Sequence, residues 1–414
     1  MPRAGAYLKK EDLEKPEISY PLDIYFCENC FSVQLLDIIS RETLFDDYRY
    51  LSSVASNSVL EHFQIYANEI SELLTKKSDL VLEIACNDGI LLKPIKDKGV
   101  NCLGVDPASN IVNVAKEKGL NVINDFFGEK IGKEILDKHG SAEIIVANAV
   151  FAHVDDMNDI TSGISKVLSN SGTFIFEVHH LSDIIEDMQY DSFYHEHFSY
   201  HSIITLSKFL KKYNMEICKV KKFSIRGGMI RVYAKKNINN NKIDSSVKEF
   251  INQEQKLGLD KLETYQKFAE NVNEHKLEIL NLLKKLKSEG KKIVAYGMSG
   301  RGNTLLNYWK VGTEIIDYGI DASPERYNRF VPGMHIPIRS PENSLLGVDY
   351  ALLLAWIFKD DIIKKETRFI KNGGKFIIPM PKPHFEPFPT GKRIFNKCFY
   401  VFKIKSSVYS NRKK

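Results

Sequence analysis

The middle of the chain, residues 79–235, alternates short apolar runs with amphipathic stretches. Apolar runs bounded by polar or turn residues are typical of buried strands, and they occur at 80–85, 101–106, 143–150, 172–178, 215–223 and 228–236. The last two leave no room for a crossover helix, so they should form an antiparallel hairpin. The alternation of strand and helix predicts a mainly parallel sheet with an antiparallel edge.

The stretches on either side have patterns of their own. Residues 1–40 are irregular, and 56–77 place apolar residues three and four apart, which predicts a helix leading into the sheet. A long amphipathic region without proline fills 247–290, and a second series of β-like runs begins at 291. We therefore expect a small N-terminal segment at 1–40, a first α/β domain at 41–240, a helical linker at 241–290 and a second α/β domain at 291–414.

Composition narrows the class of protein. Hydrophobic residues make up 43% and charged residues 27%, as in ordinary globular proteins. The net charge of +5, from 58 basic and 53 acidic residues, is too balanced to indicate nucleic acid but suits an anionic small substrate. No apolar run reaches the ~18 residues of a membrane span, and no signal peptide begins the chain. We expect a cytoplasmic protein without disulfides; a monomer is compatible with these data.

A candidate cofactor loop follows the first strand of the sheet. Its pattern, Glu83-x-Ala85-x-Asn87-x-Gly89, is a variant of an acidic-x-Gly-x-Gly-x-Gly turn between a strand and a helix. Small residues let the main chain approach a ligand closely, and the helix N-terminus beyond supplies N–H groups. Asp106 closes the next strand, where a carboxylate can accept both ribose hydroxyls of an adenosine.

Later strand ends complete this candidate site. Asp125 and Phe126 follow the third strand, where they could contact an adenine ring, and Asn148 ends the fourth. Three features fit S-adenosylmethionine (SAM) better than a dinucleotide: the acidic residue Glu83 in the first strand, the acidic residue Asp106 at the end of the second strand, and the closing hairpin. We expect an α/β fold with a class I SAM methyltransferase domain and a second Rossmann-like domain; a similar core that binds nothing is the alternative.

The second α/β domain carries a turn of similar design. Gly297, Ser299, Arg301 and Asn303 lie in a glycine-rich turn that follows a strand and opens a helix. Such a turn can hold phosphate oxygens with main-chain N–H groups, a hydroxyl and a guanidinium. Asp321 ends the next strand, as a ribose-binding acid would. These residues alone would also suit a second dinucleotide site.

The stretch SFYHEHFSYHS at 192–202 carries the most specific resemblance. It resembles the signature of sugar C-methyltransferases that act on nucleotide-linked 4-keto-deoxysugars. Further stretches resemble that family in the same order, at 20–30, 45–63, 223–236, 294–308, 320–338 and 352–362. The resemblance implies transfer of a methyl group from SAM to the carbon next to the ketone, at C3 of the sugar, through an enolate.

The resemblance also assigns roles to residues. It makes His197 the general base, places Tyr194 and Glu196 beside the sugar, and matches His153 to another active-site position. Tyr50 would close the site from the N-terminal side. The C-terminal glycine-rich turn would then hold the nucleotide diphosphate of the substrate.

Carbon methylation needs residues of these types. A sugar carbon becomes nucleophilic only next to a carbonyl, so a base must remove a proton and donors must stabilise the enolate. A neutral histidine suits this task near pH 7. If the segment is extended, His195 and His197 share one face and Tyr194 and Glu196 the other, whereas a turn could direct them to one substrate.

Two features depart from the family pattern. The family's zinc site uses four cysteines, whereas only Cys27 and Cys30 stand here, and two thiolates do not close a tetrahedral site. Either the N-terminus is incomplete or the site is lost, and a redox pair is the remaining alternative. Met334 and Ile357 stand where the family usually has Thr and Asn.

Other interpretations stay open. His62 and His201 are expected to be packing residues, and a His-x-His pair is also a metal-site pattern. The methyl acceptor could instead be an oxygen or nitrogen atom of a sugar or another metabolite. An inactive binding protein and a metal-dependent hydrolase are the alternatives from other functional classes.

Overall fold

The computed structural model describes residues 1–45, 52, 57–238 and 241–387. Tyr50, which the resemblance places at the site, lies outside the described residues. The N-terminal segment contains a 3-10 turn at Lys10–Asp12, an antiparallel hairpin of β1 (Ile24–Phe26) and β2 (Val33–Leu35), and helix α1 (Arg41–Phe45). Within the described ranges, no helix combines the length and apolar character needed to cross a membrane.

The first α/β domain is built on a seven-stranded sheet. Its elements in chain order are α2 (Asn57–Leu73), β3 (Leu80–Ile84), α3 (Leu92–Asp97), β4 (Cys102–Val105), α4 (Ser109–Glu117), β5 (Val122–Ile123), α5 (Glu129–His139), β6 (Ala142–Asn148), α6 (Met157–Val167), β7 (Leu168–His179), α7 (Leu181–Glu186), β8 (Ser199–Tyr200), α8 (Ile203–Lys211), β9 (Met215–Phe223) and β10 (Met229–Lys236). The sheet has the order β5-β4-β3-β6-β7-β10-β9, and only β10 runs antiparallel to its neighbours. The predicted parallel sheet with an antiparallel hairpin is confirmed.

Apolar side chains cover both faces of this sheet. On one face Phe151, Phe174 and Phe176 pack with ring centroids 4.8 to 5.7 Å apart. On the other, Ile175 packs with Tyr66 of α2. Burial of each such side chain stabilises the fold by roughly 1.5–3 kcal/mol. The packing aligns the carboxyl ends of β3, β4, β6 and β7 at one edge, where the loops of an α/β sheet form its ligand site.

The predicted helical linker is two helices rather than one. Helix α9 (Ser245–Leu257) ends at Gly258, whose φ of 81° is a left-handed conformation that favours glycine, and α10 (Leu262–Ser288) follows. Val247 of α9 belongs to the core of the first domain. Ile279 and Leu283 of α10 belong to the core of the second domain. Each helix therefore packs on a different domain, and the break between them lies at Gly258–Lys261.

The second α/β domain has a six-stranded sheet. Its elements are β11 (Ile293–Tyr296), α11 (Gly300–Trp309), β12 (Gly319–Ile320), β13 (Ile338–Arg339), β14 (Tyr350–Leu353), α12 (Lys359–Lys365), α13 (Thr367–Lys371), β15 (Lys375–Ile378) and β16 (His384–Glu386). The order is β13-β12-β11-β14-β15-β16, and only β16 is antiparallel to its neighbour. The expected second Rossmann-like domain is present, with the glycine-rich turn between β11 and α11.

The N-terminal segment contacts both domains. Strand β8 pairs with β2, so the chain immediately after the Tyr-His-Glu-His stretch is part of the N-terminal sheet. Leu8 exchanges two main-chain hydrogen bonds with Phe330 of the second domain, at 3.0 and 2.9 Å. All three parts of the molecule therefore meet around residues 194–197.

Candidate active site

The candidate cofactor loop has a strained backbone that Asp106 holds in place. Ala85, Asn87 and Gly89 have φ angles of 53°, 50° and 84°. The Asp106 carboxylate accepts hydrogen bonds from the main-chain N–H groups of Asn87 at 2.9 Å and Ala108 at 3.0 Å. A side chain at Gly89 would place its Cβ 2.0 Å from Cδ1 of Leu120. Glycine is therefore favoured at this turn by its positive φ, and a larger residue would also require the Leu120 side chain to move.

Buried polar atoms line the edge beyond this loop. Glu83 is 3% exposed, and within the described residues its Oε2 has no hydrogen-bond partner. Burial raises the pKa of Glu83 well above its usual value, although the neighbouring Asn148 opposes that effect. Burial also raises the pKa of Asp106, against the two main-chain donors. Uncompensated acceptors of this kind fit a ligand that brings hydroxyl or ammonium donors, as SAM does.

The residues expected at the adenine follow β5. The N–H of Phe126 donates to Oδ1 of Asp125 at 2.8 Å. The Arg41 guanidinium lies 4.6 Å from the centre of the Phe126 ring. One face of the ring is therefore covered by the N-terminal segment.

The Tyr-His-Glu-His stretch forms a turn. The N–H of His197 donates to the carbonyl of Tyr194 at 2.9 Å, which closes the turn. Nδ1 of His197 lies 3.0 Å from the Ser192 carbonyl, and the Tyr194 hydroxyl lies 3.2 Å from Nε2. A carbonyl can only accept, so Nδ1 carries the proton and Nε2 accepts from Tyr194. Of the two conformations left open by the sequence, the turn is the one that the chain adopts.

Two further histidines surround His197. The ring centroid of His153 lies 4.8 Å from that of His197, and the ring centroid of His179 lies 5.8 Å from it. Burial lowers the pKa of His153 to about 4 and that of His179 to about 3. The pKa of His197 falls well below its usual value, mainly through burial and then through His153, His179 and Arg301. All three imidazoles are therefore neutral near pH 7.

Glu196 points away from the histidines towards the N-terminal segment. A Cβ atom on Gly5 would lie 3.3 Å from Oε1 of Glu196. Burial raises the pKa of Glu196, and the nearby Arg3 and Arg326 oppose that effect. The guanidinium of Arg326 is held by Asp321 at 2.9 Å. Two cationic side chains thus converge on the outer side of the turn.

The C-terminal glycine-rich turn also lies beside the turn at 194–197. A Cβ atom on Gly300 would lie 3.6 Å from Cε2 of Tyr194. The hydroxyl of Ser299 accepts from the N–H of Gly302 at 3.3 Å and caps α11. The amide of Asn303 donates to the Ala4 carbonyl at 2.7 Å. The glycine-rich turn therefore lies against the turn at 194–197 and against the N-terminal segment.

Two residues that were predicted to bind the nucleotide, Arg301 and Asp321, have protein partners in the structure. Arg301 forms a two-point ion pair with Asp191, at 2.8 and 2.9 Å. Asp321 accepts from Arg326 and from the N–H of Ser323 at 2.8 Å. Gly297 has a φ of 88°, and a Cβ there would meet Cβ of Ala355 at 2.3 Å. Close packing against Ala355, in the loop that follows β14, thus explains the glycine at 297.

Three family models match the chain. A putative zinc binding domain matches residues 1–45, a methyltransferase domain 59–220 and a C-methyltransferase C-terminal domain 224–381. The C-methyltransferase NovU of Streptomyces niveus is 33% identical over 384 residues, which are 92% of this chain and 91% of that protein. The chain belongs to the SAM-dependent C-methyltransferase family.

Other methyltransferases are similar to this C-methyltransferase over part of its length. The ubiquinone biosynthesis O-methyltransferase of Bartonella bacilliformis is 28% identical over 96 residues, 22% of this chain and 38% of that protein. The solved structure of the glycopeptide N-methyltransferase MtfA with SAM is 13% identical, covers 42% of this chain and 93% of its own, and gives a TM-score of 0.34.

The zinc segment of this C-methyltransferase offers two thiols. Cys27 and Cys30 lie between β1 and β2, and main-chain hydrogen bonds from Cys30 and Asn29 lower the pKa of the Cys27 thiol. Across the described ranges, no group of three or more His, Cys, Asp or Glu side chains could hold a metal ion. These residues do not fit a closed tetrahedral zinc site.

Three other histidines of the C-methyltransferase have structural partners. Nε2 of His195 donates to the Pro21 carbonyl at 3.0 Å, so this ring faces the N-terminal segment. His62 lies 2.8 Å from the Glu177 carboxylate, and His201 is buried beside Ser199. His179 is the site residue that the sequence did not single out. It ends β7 beside β6, and adjacent carboxyl ends of parallel strands meet at one edge.

Proposed function

We propose that this enzyme methylates the carbon next to the ketone, at C3, of a nucleoside-diphosphate-linked 4-keto-deoxysugar, with His197 as the general base. The observation that carries the proposal is the state of His197: Nδ1 is held by the Ser192 carbonyl, which leaves Nε2 as the basic nitrogen. A buried neutral imidazole with a fixed tautomer is suited to removing a proton from carbon.

The surroundings of His197 support enolate chemistry. A low pKa keeps the resting imidazole neutral, and the negative charge that develops on the substrate would stabilise the protonated ring as the reaction proceeds. The Tyr194 hydroxyl is within hydrogen-bond distance of Nε2 and can turn to the enolate oxygen. His153 is neutral, and its Nδ1 has no partner among the described residues, so it can also face the sugar.

The loop after β3 is the proposed SAM site. Asp106 would accept the ribose hydroxyls, Gly89 allows close approach of the main chain, and Glu83 and Asn148 would face the amino acid end. When bound, SAM supplies an electrophilic methyl group on its sulfonium. His153 ends the 3-10 turn Phe151–His153, which is the first element after β6, so the edge proposed to hold the cofactor also carries the proposed base cluster.

The nucleotide end of the substrate would lie between the N-terminal segment and the second domain. Arg3 and Arg326 converge near Glu196 and can neutralise a diphosphate. The main chain at Gly297 and Ser299 would lie on the second-domain side of the bound nucleotide. Glu196 would then stand between the sugar and the phosphates.

Proton exchange without SAM tests the base step by itself. The enzyme would be incubated with dTDP-, UDP- and GDP-linked 4-keto-deoxysugars in D2O with S-adenosylhomocysteine, and C3 deuteration followed by NMR. We expect exchange with wild type, none with His197→Ala, and full exchange with the matched control His195→Gln, whose ring faces Pro21. Normal exchange by His197→Ala, or methyl transfer from SAM without any α-exchange, would contradict the proposal and favour an O- or N-acceptor.

A further inference from the structure

Asp191 belongs to the first domain, and its carboxylate accepts hydrogen bonds from side chains of the second domain. It is 1% exposed and belongs to the 3-10 turn Tyr190–Ser192. Arg301, in the first turn of α11, donates from Nε to Oδ2 at 2.9 Å and from Nη2 to Oδ1 at 2.8 Å. The indole N–H of Trp356 adds a third bond at 3.0 Å. Every one of these donors comes from the second domain, and two-point Arg–carboxylate pairs are strongly directional.

The residue after Asp191 is the one that orients the base. Ser192 supplies the carbonyl that accepts from Nδ1 of His197 at 3.0 Å. The Ser192 carbonyl shares its planar peptide unit with the N–H of Phe193, which donates to the Tyr190 carbonyl at 3.1 Å. The direction of the Ser192 carbonyl is therefore set within the same short turn that the Asp191 carboxylate anchors. The contact of Asp191 with the second domain can therefore influence the orientation of the His197 ring through Ser192.

We propose that Arg301 and Asp191 are positioning residues that orient His197, so that the base is correctly held only when the second domain is docked on the first. The inference rests on the proposed function, since it takes His197 as the base. It gives Arg301 a role other than the phosphate contact expected from the glycine-rich turn.

Arg301 also contributes charge to the site. The titratable and charged groups that face His197 are Tyr194 in the same turn, His153 after β6, His179 at the end of β7, Tyr200 in β8 and Arg301 in α11. Arg301 is the permanent cation among them and lowers the pKa of His197. Loss of that cation should raise this pKa, whereas Arg301→Lys should keep it low while losing the two-point geometry.

Tyr190 offers a matched control for domain docking alone. Its hydroxyl lies 2.8 Å from Nδ1 of His275 and accepts from the Trp309 indole at 2.8 Å, both outside the first domain's sheet. Tyr190→Phe therefore removes two buried contacts on the same short turn without touching Asp191 or the Ser192 carbonyl. A purely structural role for Arg301 predicts that its variants behave like this control.

The test is the pH profile of kcat and KM for C3 exchange in wild type, Arg301→Gln, Arg301→Lys, Asp191→Asn and Tyr190→Phe. We expect kcat to fall about 10-fold or more in the Arg301 and Asp191 variants with little change in KM. The acid limb should move to higher pH in Arg301→Gln but not in Arg301→Lys. Tyr190→Phe should retain wild-type kcat and pH profile.

The outcomes separate this inference from the proposed function. A raised KM with unchanged kcat would assign Arg301 to the nucleotide and overturn the positioning role. A wild-type profile in Asp191→Asn, or equal losses in Tyr190→Phe, would overturn it as well. In each of these cases His197→Ala would still abolish exchange, whereas retained exchange in His197→Ala would overturn the base assignment itself.

Discussion

The hydroxyl of Tyr194 lies 3.2 Å from Nε2 of His197, the nitrogen that the Ser192 contact leaves without a proton. The pair is therefore a hydrogen bond from phenol to imidazole. In the proposed mechanism this bond would break when the ring takes a substrate proton, and the phenol could then donate to the enolate oxygen.

We expect Tyr194→Phe to lower kcat for both exchange and methylation by about 10²-fold, because one donor to the developing enolate is lost. The substrate KM should change little, since the bond strengthens in the transition state. Steady-state kinetics measure both quantities. Tyr200→Phe is the control: its hydroxyl donates to the His197 main-chain carbonyl at 2.9 Å, so we expect a loss of about 1 kcal/mol in stability with kcat retained. Equal effects on kcat would contradict the assigned role of Tyr194.

A second prediction compares two glycines whose φ angles are positive and of similar size. Gly89 has a φ of 84° at the SAM loop, and Gly140 has a φ of 80° at the end of α5 with nothing within 4 Å of an added Cβ. Each change to alanine should cost about 1 kcal/mol of stability through backbone strain. Only Gly89→Ala should also weaken binding of S-adenosylhomocysteine, by about 10-fold or more, because its Cβ collides with Leu120. Calorimetric titration of both variants with S-adenosylhomocysteine measures this difference. Equal affinities in the two variants would contradict the assignment of this loop to the cofactor site.

The parallel sheet could be predicted from the sequence because the patterns that indicate it extend over only a few neighbouring residues. Strand and helix alternate within a few residues, and a glycine or an acid at a strand end depends on that strand alone. The hairpin edge also followed from spacing. What spacing could not show was that β10 lies between β7 and β9, since strand order is set by packing across the sheet.

The site was less predictable because its decisive contacts are long-range. The turn at 194–197 depends on β8 pairing with β2, about 165 residues away in the chain. Arg301 was expected to bind phosphate, and no local pattern pointed to Asp191, which precedes it by 110 residues. His179 could have been found by noting that β7 ends next to the strand that precedes His153.

A third prediction concerns stability at acid pH. Burial lowers the pKa of His201 to about 4, whereas an unfolded histidine titrates near 6.5. Between these values the unfolded chain binds a proton that the folded chain does not, so stability is present above pH 6.5 and is lost as pH falls. The free energy of unfolding of His201→Gln should therefore gain about 1.4 kcal/mol relative to wild type between pH 7.5 and 5.5. Urea unfolding at both pH values measures this, and the exposed His139→Gln should show no such gain.

The last prediction concerns a buried ion pair beside the sheet. Arg231 is 1% exposed and Glu177 is 2% exposed; Nη2 of Arg231 lies 2.6 Å from Oε1 of Glu177, and the guanidinium carbon lies 3.3 Å from the centre of the Tyr66 ring. Arg231→Met would leave the buried Glu177 carboxylate without its guanidinium partner. We expect a loss of about 3–5 kcal/mol in the free energy of unfolding.

The double variant Arg231→Met/Glu177→Gln should recover at least half of that loss, because the uncompensated charge is gone. Circular dichroism in urea is the appropriate signal, since both tryptophans lie in the second domain. Lys93→Met, which breaks an exposed pair with Asp97, should change stability by less than about 1 kcal/mol. If the double variant were no more stable than Arg231→Met, the cost would come from lost packing on Tyr66 rather than from the buried charge.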